Sequence, residues 1–269
     1  GEGSNTASDI PYPIAVECRA NLYMEGQDDS IFEDTYKADT ITDITYMPGR
    51  LFYLVNDTVL FSQVIRNNGT GFESCHQEAD PTSEEISDIL PTDGGYVKFN
   101  NIGVGRALES FNRGVLVFGD NIVYGLISPL EKAFSASDYD ILELSRAGII
   151  GDKSVVSTDD MVYYWSPMGI FRIGINPNTG SSIIAECITH ETIQEYYDRI
   201  PNEAKKTCRG CFDYVNNRIY WYYAEGDESY KLNRCLVLDL SKNAFMPFKI
   251  EGDEFITDAF NSKVAYEIN

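Results

Sequence analysis

Residues 44–64 read ITYMPGRLFYLVNDTVLFSQV, which parses as strand, turn, strand, turn, strand. The turns are Met47-Pro48-Gly49 and Asn56-Asp57. Asn, Asp and Gly tolerate the positive φ that tight hairpins between right-twisting strands require. The same pattern recurs three times. Residues 107–128 turn at Asn112-Arg113-Gly114 and Asp120-Asn121. Residues 154–174, SVVSTDDMVYYWSPMGIFRIG, turn at Asp159-Asp160 and Pro167-Met168-Gly169. Residues 211–250 turn at Asn216-Asn217 and Lys242-Asn243.

The strands between these turns, such as Leu51–Val55, Val115–Phe118, Met161–Trp165 and Arg218–Tyr223, are rich in β-branched and aromatic residues. They run almost continuously apolar, as strands covered on both faces do. Equivalent turns recur roughly every 45 to 65 residues, within the range of propeller blades. One such unit cannot bury both faces alone, so the units must pack on one another. Radial packing leaves only short, protected edges. The expectation is an all-β chain, an irregular β-propeller with one or two short inserted helices.

Residues 1–40 are expected to form an N-terminal irregular segment with a first strand inside PYPIAVECRANLYM, and residues 41–269 the propeller. Residues 66–95 are polar, acidic and turn-rich, a loop excursion. AFSASDY, within 131–140, suits a short turn of helix. Residues 189–204 read as a helix insertion, with Thr189 as cap and an apolar stripe of Ile193, Tyr196, Tyr197 and Ile200 before Pro201. A packing role is favoured for it over a recognition role. The chain opens on Gly1 and ends in strand-like VAYEIN, from which a processed or partial chain is expected.

A hydrophobic content of 43% in 269 residues is that of a folded protein. No apolar run approaches the ~20 residues of a membrane-spanning helix. The formal net charge of −21 repels phosphate backbones, so tight binding of nucleic acid over a broad face is not expected. Cysteines at 18, 75, 187, 208, 211 and 235 are too few and too scattered for a disulfide framework, and they read as reduced core residues. CRGC at 208–211 resembles half a zinc or redox site. It has no second CxxC, and the only histidines are His76 and His190.

No nucleophile elbow, zinc-protease motif or phosphate loop is present. GVGRAL at 103–108 leads into a strand instead of a helix. Asp28, Asp29, Glu33 and Asp34 cluster in one loop and Asp159-Asp160 sit at a turn, where acids already have a backbone reason to exist. Tyr220 to Tyr223 are four consecutive aromatics whose alternate members face opposite sides, and packing is favoured over ligand stacking. No catalytic, cofactor-binding or metal-binding residue is assigned, and the chain is expected not to be an enzyme.

The ordered phrases LFYLVNDTVLFSQ, ILPTDGG, LESFNRGVLVFGDNIVYGLI, GIIGDKSVVSTDDMVYYWSPMGIFRI and FDYVNNRIYWYY with CLVLDLSKNAFMPF resemble the β-propeller region of bacteriophage tail nozzle proteins. These are the tail tubular protein B and packaged-DNA stabilisation proteins of short-tailed phages. The resemblance covers roughly residues 40 to 250. It implies a structural virion protein, assembled in the host cytoplasm, that forms a homohexameric ring below the portal and adaptor. Such a ring retains and conducts genomic DNA. Implied partners are copies of itself, portal, adaptor and tail-fibre proteins, and double-stranded DNA passing the lumen without sequence-specific binding; no cofactor and no membrane insertion are implied. Family chains are usually much longer. The alternative left open by the residues is a carbohydrate-active propeller hydrolase or lyase, or a glycan-binding propeller module.

Overall fold

The computed structural model describes residues 17–18, 41–65, 72, 74–75, 89–129, 133–180, 182–226, 228–250 and 256–259. Short strands β1 (Glu17–Cys18) and β5 (Ser74–Cys75) pair in parallel. The other strands make four four-stranded sheets, and the fold is all-β and propeller-like. The first sheet joins β2 (Asp43–Met47), β3 (Arg50–Val55), β4 (Thr58–Phe61) and β6 (Gly95–Lys98) in that order. The second holds β7 (Gly105–Phe111), β8 (Gly114–Gly119), β9 (Val123–Ile127) and β10 (Asp140–Ser145). The third holds β11 (Val156–Ser157), β12 (Met161–Ser166), β13 (Gly169–Ile175) and β14 (Ile183–Cys187). The fourth holds β15 (Arg209–Asp213), β16 (Arg218–Tyr223), β17 (Arg234–Asp239) and β18 (Ala244–Lys249). Each sheet follows chain order, so every blade is a meander.

The Asn turns behave as their chemistry requires. Asn56, Asn112, Asn217 and Asn243 all take left-handed φ, between 48° and 53°. The Asp159-Asp160 turn does not: no residue there has positive φ, and Thr158 closes it by exchanging hydrogen bonds with Met161.

By their internal packing the described residues form two compact units, 1–117 with 125–142, and 118–124 with 143–269. In the first unit Tyr53, Val55 and Leu60 pack with Cys75 on one side of the first sheet. On the other side Phe52, Phe61, Phe134 and Tyr139 meet ring to ring at 5.1–6.2 Å. Arg50 is 2% exposed there and donates to the carbonyls of Ser62, Pro91 and Asp93, its guanidinium lying over Phe61 and Phe134. Burial lowers its pKa to about 10, against the pull of Asp93.

The second unit is centred on Val156, Tyr163, Trp165, Tyr197, Trp221, Tyr223, Leu236 and Leu238. Here the third and fourth sheets pack face to face. Gly210 makes the approach possible: a Cβ on it would stand 2.2 Å from a Val156 methyl and 2.9 Å from the Trp221 ring.

Three sequence readings change. The first three units each carry a fourth strand, β6, β10 and β14, so the blades are four-stranded; β6 follows the excursion at 66–95. AFSASDY forms no helix, and a single Ser135–Asp138 bridge pins it as a tight turn. The helix of 189–204 is two short helices, α1 (Gln194–Arg199) and α2 (Asn202–Lys206). Pro201 lacks an N–H and pushes Ile200 to an extended ψ of 121°, which breaks the run. Thr189 caps neither helix: its hydroxyl accepts from Ile170 N–H and donates to Gln194. The expected stripe does pack, with Tyr197 and Ile200 buried in the core and Ile193 and Tyr196 partly buried against it. Most of residues 1–40 and VAYEIN lie outside the described residues.

Candidate functional site

The fourth sheet is apolar on both faces, and the pairing registers show how. On one face Gly210, Trp221, Leu236 and Pro247 form a row, beside Phe212, Ile219, Leu238 and Phe245. These face the second-unit core, where Trp221 is fully buried and its indole N–H donates to Ser154 O at 2.9 Å. On the opposite face Cys211, Tyr220, Val237 and Met246 form a row, beside Arg209, Tyr222, Cys235 and Phe248. This second face is a groove of about 520 Å³, closed at one side by Ile250 and Ile256.

Cys235 and Val237 form its buried floor, while Phe248 stands 53% exposed on its wall. Tyr220 and Tyr222 stack with centroids 6.3 Å apart and planes 10° from parallel. Their i, i+2 spacing on a strand places both rings on this one side. Ion pairs border the apolar side chains: Arg218 with Asp239 at 3.2 Å, and Arg209, at the end of the second row, with Asp258 at 3.1 Å. Burial pushes the Cys235 thiol up to about 12 and raises Tyr222 well above an ordinary phenol. A thiol held protonated is a poor nucleophile, so the groove offers contact area and aromatic faces.

The residues weighed in the sequence lie as follows. Cys208 is completely buried and burial raises its thiol pKa well above normal; Cys211 is shifted the same way and sits mid-strand in β15, which opens at Arg209. Cys187, Cys208, Cys211 and Cys235 are free thiols. Among the described residues no group of three or more His, Cys, Asp and Glu is placed to hold a metal ion. His190, Asp159 and Asp160 are exposed and are not brought together with one another. His76, Cys18, Asp28, Asp29, Glu33 and Asp34 lie outside the side chains described. GVGRAL leads into β7 as expected, with Gly105 N–H donating to Asn56 O at 2.7 Å. Of the four aromatics, Trp221 and Tyr223 are core, as the packing preference expects, and Tyr220 and Tyr222 line the groove. The groove itself was not foreseen. Its only signal is that both alternations of β16 and β17 are apolar while the chain beyond β18 turns polar and acidic.

No family model matches the chain, and no curated protein matches it. Solved structures similar to it include an ACO/RPE65 chimera in a trigonal crystal form, at 8% identity and a TM-score of 0.41, covering 81% of this chain and 50% of that one. A mutant of the Synechocystis apocarotenoid oxygenase (ACO) is similar at 8% identity and a TM-score of 0.37, covering 78% and 47%. The chain thus spans about half the length of the solved chains it matches. The expectation that the chain is not an enzyme is corrected by this finding and withdrawn, since the structures matched are oxygenase chains. A likeness of this size assigns the present chain no activity, cofactor or site residue. Among the described residues no helix is long and apolar enough to cross a membrane.

Proposed function

We propose that this chain is a structural part of a virion tail, a nozzle or tube component that assembles with copies of itself into a ring below the portal and adaptor. In that place it retains and conducts double-stranded DNA. The observation that carries the reading is the ordered set of hairpin phrases that resembles the nozzle propeller. Those phrases coincide with inner strands of the blades: LFYLVNDTVLF spans β3 to β4, NRGVLVFGD holds β8, MVYYWS is β12 and RIYWYY is β16. The formal charge of −21 supports the same reading, because like charge keeps duplex DNA from adhering to a wall it must slide past. Tail-fibre, portal and adaptor contacts follow from the reading as partners.

Electron microscopy of the purified protein, alone and mixed with portal complexes, tests this. Six-fold rings that dock on the portal are the expected result. A lasting monomer that binds glycans would remove the nozzle reading and leave the glycan-binding module in its place.

A further inference from the structure

The groove on the fourth sheet has a cover at hand in the same chain. We propose that residues 260–269, FNSKVAYEIN, lie back over Tyr222, Cys235 and Phe248 and close it. The contact is made within one chain and holds whether or not that chain builds a ring.

Three observations point to it. First, the chain beyond β18 is already brought to the groove. Ile256 forms part of its wall and exchanges backbone hydrogen bonds with Leu232 at 2.9 and 3.3 Å. Two residues on, Asp258 pairs with Arg209 at 3.1 Å and with Lys153 at 3.5 Å. Arg209 stands in the same cross-strand row as Tyr222, Cys235 and Phe248. Residues 256–258 therefore pass from the start of β17 to the start of β15, and two ion pairs fix the point from which residues 260–269 depart.

Second, those residues have the pattern and the length that a cover needs. Val264, Tyr266 and Ile268 alternate with Lys263, Ala265, Glu267 and Asn269, the period of a strand with one face on an apolar surface. Ten extended residues reach roughly 33 Å. Four strands side by side span about 14 Å, so the segment is long enough to cross them all.

Third, the molecule uses the same device one sheet earlier. The connection that follows β14 turns back over the third sheet, where Tyr197 meets Trp165 ring to ring at 5.1 Å and Ile200 joins the same core. There too the covering segment directly follows the last strand of its sheet.

The test is binding of the neutral apolar dye Nile red to the purified full chain, to a chain ending at Ala259 and to Tyr266→Asp. A cover closed about nine-tenths of the time lowers apparent dye affinity about tenfold, so the truncation and Tyr266→Asp are each expected to raise it by that factor. Glu267→Gln, on the opposite alternation, is expected to leave it unchanged. The free peptide FNSKVAYEIN is expected to displace the dye from the truncated chain. Circular dichroism checks that the fold survives. If the shortened chain fails to fold, p-benzoylphenylalanine in place of Tyr266 in the full chain carries the test. Its photocrosslinks, mapped by mass spectrometry, are expected within residues 220–222 or 246–248 of the same chain. Equal dye affinity in the folded full and truncated chains, crosslinks confined to regions outside the fourth sheet, or crosslinks that join two chains would each overturn the proposal.

Discussion

Ile219, Trp221 and Tyr223 project from one side of β16, and Arg218, Tyr220 and Tyr222 from the other. The first three are sealed into the core beneath the third sheet, with at most 1% of their surface exposed. The second three are half-buried along an open groove. Composition does not distinguish the two sides, since each presents large aromatics beside aliphatic floor residues. What distinguishes them is the neighbour. The covered side has Gly210, the 3-10 turn Asp152–Ser154 and two short helices to receive it; among the described residues the other has Ile250 and Ile256 at its rim. Apolar patterning therefore states a need for cover, and only topology says whether the cover lies in the same chain.

That contrast is open to measurement. Trp221→Ala should cost the most, about 3–5 kcal/mol in urea unfolding, through the cavity it leaves and the Ser154 carbonyl it orphans. A loss no larger than that of a groove residue would erase the distinction between the faces. Next in size is an alkaline effect. The Cys208 and Cys235 thiols are held protonated by burial, Cys235 up to about 12, whereas unfolded thiols ionise near their ordinary value of 9.0. Above pH 9 the unfolded state sheds these protons first, so the stability they contribute is full below that pH and is lost as pH climbs towards the folded pKa. A loss of about 3 kcal/mol from Cys235 alone by about pH 11 is expected from unfolding curves taken across the window, with Cys208 adding in the same direction. Arg50 works in the opposite sense between about 10 and 12.5 and softens the upper end. Replacing both cysteines with Ser should flatten this dependence; an unchanged slope would mean that burial is not its source.

Gly210→Ala comes third. Its new methyl would collide with Val156 and Trp221, at an expected cost of about 1–3 kcal/mol in thermal unfolding. Tyr220→Ala, on the open face, is expected to lose under about 1 kcal/mol when measured in dilution. If Tyr220→Ala instead cost as much as Gly210→Ala, the groove would be structural core.

The hairpins were legible because Asn turns have a cause that needs no tertiary context, and Asn56, Asn112 and Asn217 answer it residue for residue. The fourth strands were not. β10, DILELS, is mostly exposed and offers neither alternation nor a continuous apolar run to read. β6 is only four residues long and follows a polar excursion. Pro201 announced a break, yet Thr189 was drawn away from capping by Gln194, five residues along the chain, and by Ile170, which only the folded β13 hairpin brings near. The groove was half legible. Four aromatics in a row predicted alternate sides correctly, while nothing local could say which side would lack a neighbour.

The Arg50 clamp has a consequence for how this blade can change. One guanidinium gathers the carbonyls of Ser62, just before the excursion, and of Pro91 and Asp93, in its last residues. The two ends of that excursion are thereby stapled to the same point, while Phe72 and Cys75 between them are held against Tyr53. Doubling the length of such a tethered loop costs only about 0.6 kcal/mol in closure entropy. Insertions between residues 76 and 88, clear of those contacts, should leave the first sheet intact, which makes that position a natural place to graft a new segment onto this scaffold.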